Sequence, residues 1–476
     1  MQDINLFMSR ILVIGIGPTP SRGGTRHVYA PGLRLWNFAT TLLKSKIDVI
    51  IAEALFGEDI DGITQKSAPL ENATIPWYTI SLNPAKAIKH ITDIYQRERM
   101  DAIISSTEVM NNAVVLCDIS IPCWLDFNGD PMTERQMQAA VYGSDMGLLA
   151  QWEIMAPALL HGDHFSSCSL PQKHALIGQL GACGRLNRFT SGHDLVTVLP
   201  PAPALLSFPG AQEKPVLRGI RFPEHAFIIL WSGGYNTWSD VDTLFSGLTY
   251  AMERNERIHY VSTGGAIKGH DEKTYERFVR MIDASRFKDH FHLMGWVKFD
   301  ELPAYYHEAD AAVNIDTFSY EATLGCRNRL FDWIVAGLPV ITTAISELTQ
   351  ILTDKNLVSV FKVGDAPNLG NRILDMAVNP EEYHRRAERA RHFLTTEYTT
   401  ATLLAPLVSW AQKPRKAPDL VAGESNPLLK AQQDCLNKGK LLESLEQQVD
   451  DLHAQLNTIK GSRLFKVLNA IKRFDR

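Results

Sequence analysis

Residues 226–240 read AFIILWSGGYNTWSD. Six apolar residues, Ala226–Trp231, run without a polar break and end in a Ser-Gly-Gly turn. A run of that length closed by glycines is a strand buried on both faces, as in a parallel sheet. A helix is expected next, from about Trp238 to Asn255, then a strand at Ile258–Thr263 and a helix at Asp271–Ser285. Further strands are expected at His290–Met294, Ala311–Ile315 and Pro339–Thr342, with a helix at Asn328–Ala336 before the last. The same rhythm occupies the first two hundred residues. Arg10–Ile16 (RILVIGI) is a strand, Pro18–Pro31 a loop, and Gly32–Lys46 a helix with Leu33, Trp36, Leu42 and Leu43 inward. Asp48–Ala52, Asp101–Ser105 and Pro122–Asp126 are strands, with a helix near Ala85–Glu98. Strands alternating with helices build a parallel sheet covered on both faces.

Residues 200–225 are rich in proline and separate the two series. The expected fold is therefore α/β, with two Rossmann-like domains facing across a cleft. The boundaries are 1–205 for the first domain, 206–225 for the link and 226–398 for the second domain. Residues 399–428 are expected to be a crossover and linker, because Lys413–Pro427 is polar and contains proline. Leu442, Leu445, Val449, Leu452, Leu456 and Ile459 alternate spacings of three and four, which predicts a coiled coil over 429–460. Residues 461–476 form a basic amphipathic tail. Leu464, Phe465, Leu468 and Ile471 share a stripe, and five basic residues stand against Asp475.

At 476 residues the chain is too long for one core. Its net charge of −5 argues against a chain dedicated to nucleic acid. The six cysteines (Cys117, Cys123, Cys168, Cys183, Cys326 and Cys435) form no CxxC pair, which disfavours a zinc site and suits a reducing cytoplasm. No signal peptide and no apolar run of about 20 residues is seen. The expected location is the cytoplasm, peripheral to the inner face of the plasma membrane through the basic tail.

Residues able to carry chemistry cluster at strand ends. Gly15, Gly17, Gly23 and Gly24 follow the first strand and allow close approach of a ligand. Gly233 and Gly234 do the same in the second domain, with Thr237 as a helix cap. The densest stretch is Ser319–Thr343, SYEATLGCRNRLFDWIVAGLPVITT. It places Glu321 in a loop, Arg327 and Arg329 at a helix start, and Asp332 within that helix. Two guanidiniums at a helix N-terminus are a natural pyrophosphate site. Asp126, Asp130 and Glu134 stand near one strand end and can hold a cation, but Asp-Phe-Asn-Gly-Asp-Pro reads better as a turn and helix cap. No metal is expected. Asp163-His164 and Arg185-x-Asn187 are weaker signals, and His164 reads better as a structural histidine.

These residues resemble the retaining glycosyltransferases of the GT-B fold, family 4 (group 1), over about Arg10 to Tyr398. Within that family the chain is similar to a bacterial surface-polysaccharide branch. In that branch an E-T-x4-R-x-R-x2-D-Y-x2-A-G-L-P string replaces paired glutamates. Here the string appears as Glu321-Ala322-Thr323, Arg327-Asn328-Arg329, Asp332-Trp333 and Ala336-Gly337-Leu338-Pro339. The resemblance implies a nucleotide-diphosphate sugar held mainly by the second domain. Gly233, Gly234 and Trp238 would lie near the diphosphate, with Gly17 and Gly24 facing it from the first domain. Trp296 and Val297 would stand by the base and Asp332 at the ribose. Glu321 would face the transferred sugar, and Arg327 or Arg329 would neutralise the leaving group. Asp126, Asp130 and His164 are the acceptor-side candidates.

Leu324 stands where the first glutamate of the paired motif belongs, and Tyr235–Val241 holds no basic residue. The implied activity is metal-independent, retaining transfer of a hexosyl-type unit, with no cofactor. The acceptor would be a glycan or lipid-linked oligosaccharide of lipopolysaccharide O-antigen or capsule synthesis. The partners would be a coiled-coil homodimer and an anionic membrane surface. The altered glutamate motif also admits a second reading, a catalytically silent GT-B module scaffolding polysaccharide assembly.

Overall fold

The computed structural model describes residues 9–20, 27–70, 73–203, 215–423 and 427–461. Among them, eight strands form a first sheet: β1 (Arg10–Gly17), β2 (Asp48–Leu55), β3 (Thr64–Leu70), β4 (Ala73–Ile80), β5 (Ala102–Ser106), β6 (Cys123–Phe127), β7 (His164–Ser167) and β8 (Val196–Val198). Their spatial order is β3-β4-β2-β1-β5-β6-β7-β8, parallel throughout except for the β3–β4 hairpin at the edge. A second sheet holds β9 (Phe227–Ser232), β10 (Ile258–Thr263), β11 (Phe291–Leu293), β12 (Ala311–Asn314), β13 (Val340–Thr342) and β14 (Ser359–Val360). Its order is β11-β10-β9-β12-β13-β14, all parallel. Strand order reverses beside β1, which pairs with β2 and β5, and beside β9, which pairs with β10 and β12. Ligands of open α/β sheets bind off the carboxyl ends of strands at such reversals.

The unbroken apolar runs follow from two-sided burial. Ile11 and Val13 join a core cluster on one face of the first sheet, and Leu12, Ile14 and Ile16 join the cluster on the other. In β9, Phe227, Ile229 and Trp231 face one cluster while Ile228 and Leu230 face another. The β3–β4 hairpin was absent from the sequence reading, because TQKSAPL is a polar, proline-containing edge strand without an apolar run.

Two expectations need correction. The helix Ala30–Lys44 buries Leu35, Phe38, Ala39 and Leu42, leaving Leu33, Trp36 and Leu43 half-buried. Its face is set by the sheet on one side and, on another, by Pro200 and Ala202, which accept hydrogen bonds from Arg34 and Asn37. Over its described residues, Lys413–Gly423 is not wholly a solvated linker. Helix Ala405–Gln412 sends Leu407, Trp410 and Ala411 into the first domain's core. Trp410 meets Trp124 edge-on at 5.5 Å. Ala417 is fully buried, and Asp419 makes a buried ion pair with Arg185 at 2.7 Å. The last helix runs Pro427–Gly461. The expected tail, from residue 462 onward, lies outside the described residues.

Candidate functional site

In the second domain the site begins where β9 stops. Gly233 has a φ of +91°, a conformation open to glycine. A β-carbon on Gly234 would run into Ile267, and one on Gly264 into the Gly233 carbonyl. Only bare backbone fits between these turns. Thr237 does not cap the next helix. Asp240 does, accepting from Thr243 N at 3.0 Å, so the helix starts at Val241.

Glu321 lies in the short helix Tyr320–Leu324, not in a loop, because Ser319 caps it at Ala322 N. Its carboxylate grips Arg327 with both oxygens, at 2.9 and 2.7 Å, and Arg327 Nε donates to Asp316 at 2.9 Å. All three side chains are buried. The two carboxylates occupy the guanidinium, and Arg327 lies 5.2 Å from the Trp238 ring. Arg327 and Glu321 are therefore held rigidly against one another, with three of the five Arg327 N–H groups committed to the two carboxylates.

Arg329 is placed differently. Its guanidinium lies over the Trp231 ring at 4.1 Å, and Nη2 donates to the Gly234 carbonyl at 3.0 Å. Nη1 is buried and meets no acceptor among the described residues. Burial pushes its pKa down to about 10, which still leaves it charged at neutral pH. It is a cation held beside the Gly233–Gly234 turn without a carboxylate bound to it. Asp332, one turn further along, is buried at the seam between the domains, lining a small cavity with Leu33, Arg34, Asn37 and Pro201.

Trp296 and Val297 form the rim. Trp296 Nε1 donates to the Ala266 carbonyl at 2.9 Å, and the ring comes within 3.5 Å of where a Gly234 β-carbon would stand. From the first domain, Tyr29 meets Trp296 edge-on at 5.1 Å, and His27 Nδ1 lies 2.9 Å from the Val297 carbonyl.

Residues 226–379 match the family model described as glycosyl transferases group 1. The match covers most of the second domain. No curated protein matches the chain in sequence. Sucrose-phosphate synthase from Thermosynechococcus elongatus superposes with a TM-score of 0.59 at 14% identity, over 87% of this chain and 100% of its own. HepE from Anabaena, solved with UDP and glucose, gives 0.56 at 12% identity, over 84% and 98%. An alpha,alpha-trehalose 6-phosphate synthase from Burkholderia multivorans gives 0.62 at 10%, over 88% and 99%. These likenesses establish the fold: two Rossmann-like domains in the GT-B arrangement.

Facing the second domain, the first domain presents the end of β1. A β-carbon on Gly17 would strike the Glu53 carboxylate, and one on Gly32 the Pro18 carbonyl. Gly24 lies outside the described residues. The acceptor-side candidates are engaged by neighbours within the first domain. Asp126 is fully buried, bound by Arg34 at 2.7 and 2.9 Å and by Ser166 at 2.6 Å. Asp130 caps helix Pro131–Tyr142 and accepts from Gln179 at 3.0 Å. His164 starts β7, at the end away from the cleft. Its ring lies tilted against Trp124 at 4.1 Å and 2.8 Å from Thr197 Oγ1, and burial pushes its pKa down to about 4. No group of His, Cys, Asp or Glu among the described residues has the geometry of a metal site.

Several residues of the cleft were not singled out from sequence. Ser169 Oγ donates to the Leu324 carbonyl at 2.5 Å, and Leu170 N to Glu347 at 2.8 Å, so the first domain grips the Glu321 helix and its neighbour. Gln138 reaches His270 at 3.0 Å, and Tyr142 Oη reaches Asp271 at 3.3 Å. Glu134 is held well above the usual carboxylate range, first by burial and then by the Glu321 charge. Unlike the others it is marked in the sequence, beside Asp126 and Asp130 as one of three acids near a strand end, and it lies in the first turn after Asp130-Pro131.

Proposed function

We propose that the protein is a retaining, metal-independent glycosyltransferase. It moves a hexosyl-type sugar from a nucleotide-diphosphate donor to a glycan or lipid-linked oligosaccharide in cell-surface polysaccharide synthesis. The observation that carries this reading is Arg329: a half-buried cation whose buried Nη1 meets no acceptor among the described residues, beside a bare glycine turn, at the strand-order reversal of a domain that matches the group 1 family model. Such a cation stabilises charge as it grows on a departing diphosphate. The C1–phosphate oxygen bond breaks, and its electron pair leaves on that oxygen. The acceptor hydroxyl bonds to C1 on the same face, and its proton passes to the departing phosphate. No side chain need serve as base. Arg327 acts at one remove, keeping Glu321 and Asp316 fixed around the turn. Trp296 and Val297 border the base, and the first domain's Tyr29 and His27 close over them, which excludes water from the donor.

UDP is the first nucleotide to try, because HepE was solved with UDP and glucose. No described helix is long and apolar enough to cross a membrane. Residues 463–476, basic and amphipathic in sequence, support attachment to an anionic bilayer at the cytoplasmic face. The test is thermal unfolding with a panel of nucleoside diphosphates and their sugars, each with and without EDTA. Ligands that bind only the folded state raise the midpoint. A shift with one nucleotide, unchanged by EDTA, is expected. No shift with any nucleotide at millimolar concentration refutes the donor site and leaves the silent scaffold.

A further inference from the structure

The helix Pro427–Gly461 presents two unlike faces. Near its start, Leu429 and Leu436 pack on the first domain's core, and Gln432 Nε2 donates to the Ala182 carbonyl at 3.2 Å. Contact with that domain ends near Gly439, where a β-carbon would stand 3.3 Å from Glu153. Every described side chain from Leu441 to Ile459 is exposed. At about 1.5 Å per residue, the span from Leu442 to Ile459 stands roughly 26 Å of helix in solvent. Leu442 is 60% exposed and Leu452 61%. A helix carrying a bare apolar stripe is marginal alone in water and gains its stability by burying that stripe.

The stripe has a heptad register. Leu442, Val449 and Leu456 take position a, and Leu445, Leu452 and Ile459 take position d. Cys435, seven residues before Leu442, is also an a residue and is exposed. Its neighbour Leu436 is the residue that meets the body. One residue turns the helix by about 100°, so the body covers a different face and leaves the seam bare.

We propose that a second copy of this chain covers the seam, in a parallel two-stranded coiled coil. A partner of another kind is normally specified by charges at positions e and g. Here g holds Leu441, Gln448 and Gln455 and e holds Glu446, His453 and Lys460, so in a parallel pair each e residue of one copy meets an uncharged g residue of the other, while Asp450 and Asp451 stand at b and c, away from the seam. Nothing of like charge opposes self-pairing at these positions. In the middle heptad, Val449 at a with Leu452 at d is the combination that favours two parallel strands. In that register the two Cys435 thiols face one another across the first layer.

The experiment is light scattering on the full chain, followed by mild oxidation. The expected mass is twice 53.2 kDa. Oxidation should join the copies through Cys435, and C435S should abolish the cross-link while leaving the dimer intact. The double variant L445D/L452D should be monomeric, with an unchanged unfolding midpoint. A monomeric wild-type protein overturns the proposal, as does a dimer that survives L445D/L452D. A dimer that never cross-links at Cys435 overturns the parallel register. A monomer that loses anionic-vesicle binding in L445D/L452D assigns the seam to a membrane and also overturns it.

Discussion

Arg327 and Arg329 are two residues apart, and their replacement should have opposite consequences. In Arg329→Ala one hydrogen bond is lost, from Nη2 to the Gly234 carbonyl. That costs about 1 kcal/mol. It is partly offset because a half-buried cation with one buried, unmet N–H group is removed with it. The unfolding midpoint should move by only a few degrees. Hydrogen bonds from a cation to a diphosphate are worth about 1.5–3 kcal/mol in binding, and removing a donor aimed at developing charge costs on the order of 10²–10³ in turnover. The variant should therefore bind nucleoside diphosphate roughly 10- to 100-fold more weakly, and transfer should fall at least as far. In Arg327→Ala the buried carboxylates of Asp316 and Glu321 lose their shared partner. Breaking such a pair costs about 3–5 kcal/mol. That variant should unfold early or fail to accumulate. Calorimetry separates the two on stability, and nucleotide release with titration calorimetry separates them on function. Normal turnover by Arg329→Ala refutes the diphosphate assignment. A stable, inactive Arg327→Ala refutes its confinement to holding Glu321 and Asp316 in place.

The remaining predictions concern the rest of the chain. Asp419→Ala should destabilise the first domain by about 3–5 kcal/mol, read by urea unfolding, because Arg185 is left buried and unpaired. Gly234→Ala should abolish the nucleotide-induced thermal shift, since its β-carbon displaces Ile267 toward the turn. Burial holds the His164 pKa near 4 against 6.5 when unfolded, so the unfolded chain takes up the proton first as pH falls. Stability should be complete above pH 6.5 and decline toward pH 4, by up to about 3 kcal/mol, and His164→Gln should flatten that decline in urea titrations. Deleting residues 461–476 should release the protein from anionic vesicles in a flotation assay, and unchanged binding refutes membrane attachment through the tail.

The parallel sheets were legible because strands such as RILVIGI and AFIILW are buried on both faces, which leaves an apolar run no helix needs. The site's position was legible too, since glycines and arginines fall at strand ends. What the sequence hid was pairing. Glu321, Arg327 and Arg329 look alike as charged residues, and only the fold shows that Asp316 completes the Arg327 clasp and leaves Arg329 over. Asp126 stood as an acceptor-side candidate because its partner Arg34 is 92 residues away. The stretch after residue 399 misled for a related reason. Its apolar residues, among them Leu404, Leu407, Trp410 and Ala417, are broken by Pro406 and run into the polar, proline-containing stretch from Lys413, which reads as a link. Those four are buried because they meet a surface built some three hundred residues earlier.

That returning segment also bears on how the protein is made. The first domain is discontinuous in the chain: its sheet closes at β8, yet Trp410, Ala417 and Asp419 complete its packing. On a ribosome, the amino-terminal half emerges first but waits for its last pieces until the second domain has been synthesised. A nonsense mutation near residue 400 would spare every residue of the donor site and still leave the opposite wall of the cleft unfinished.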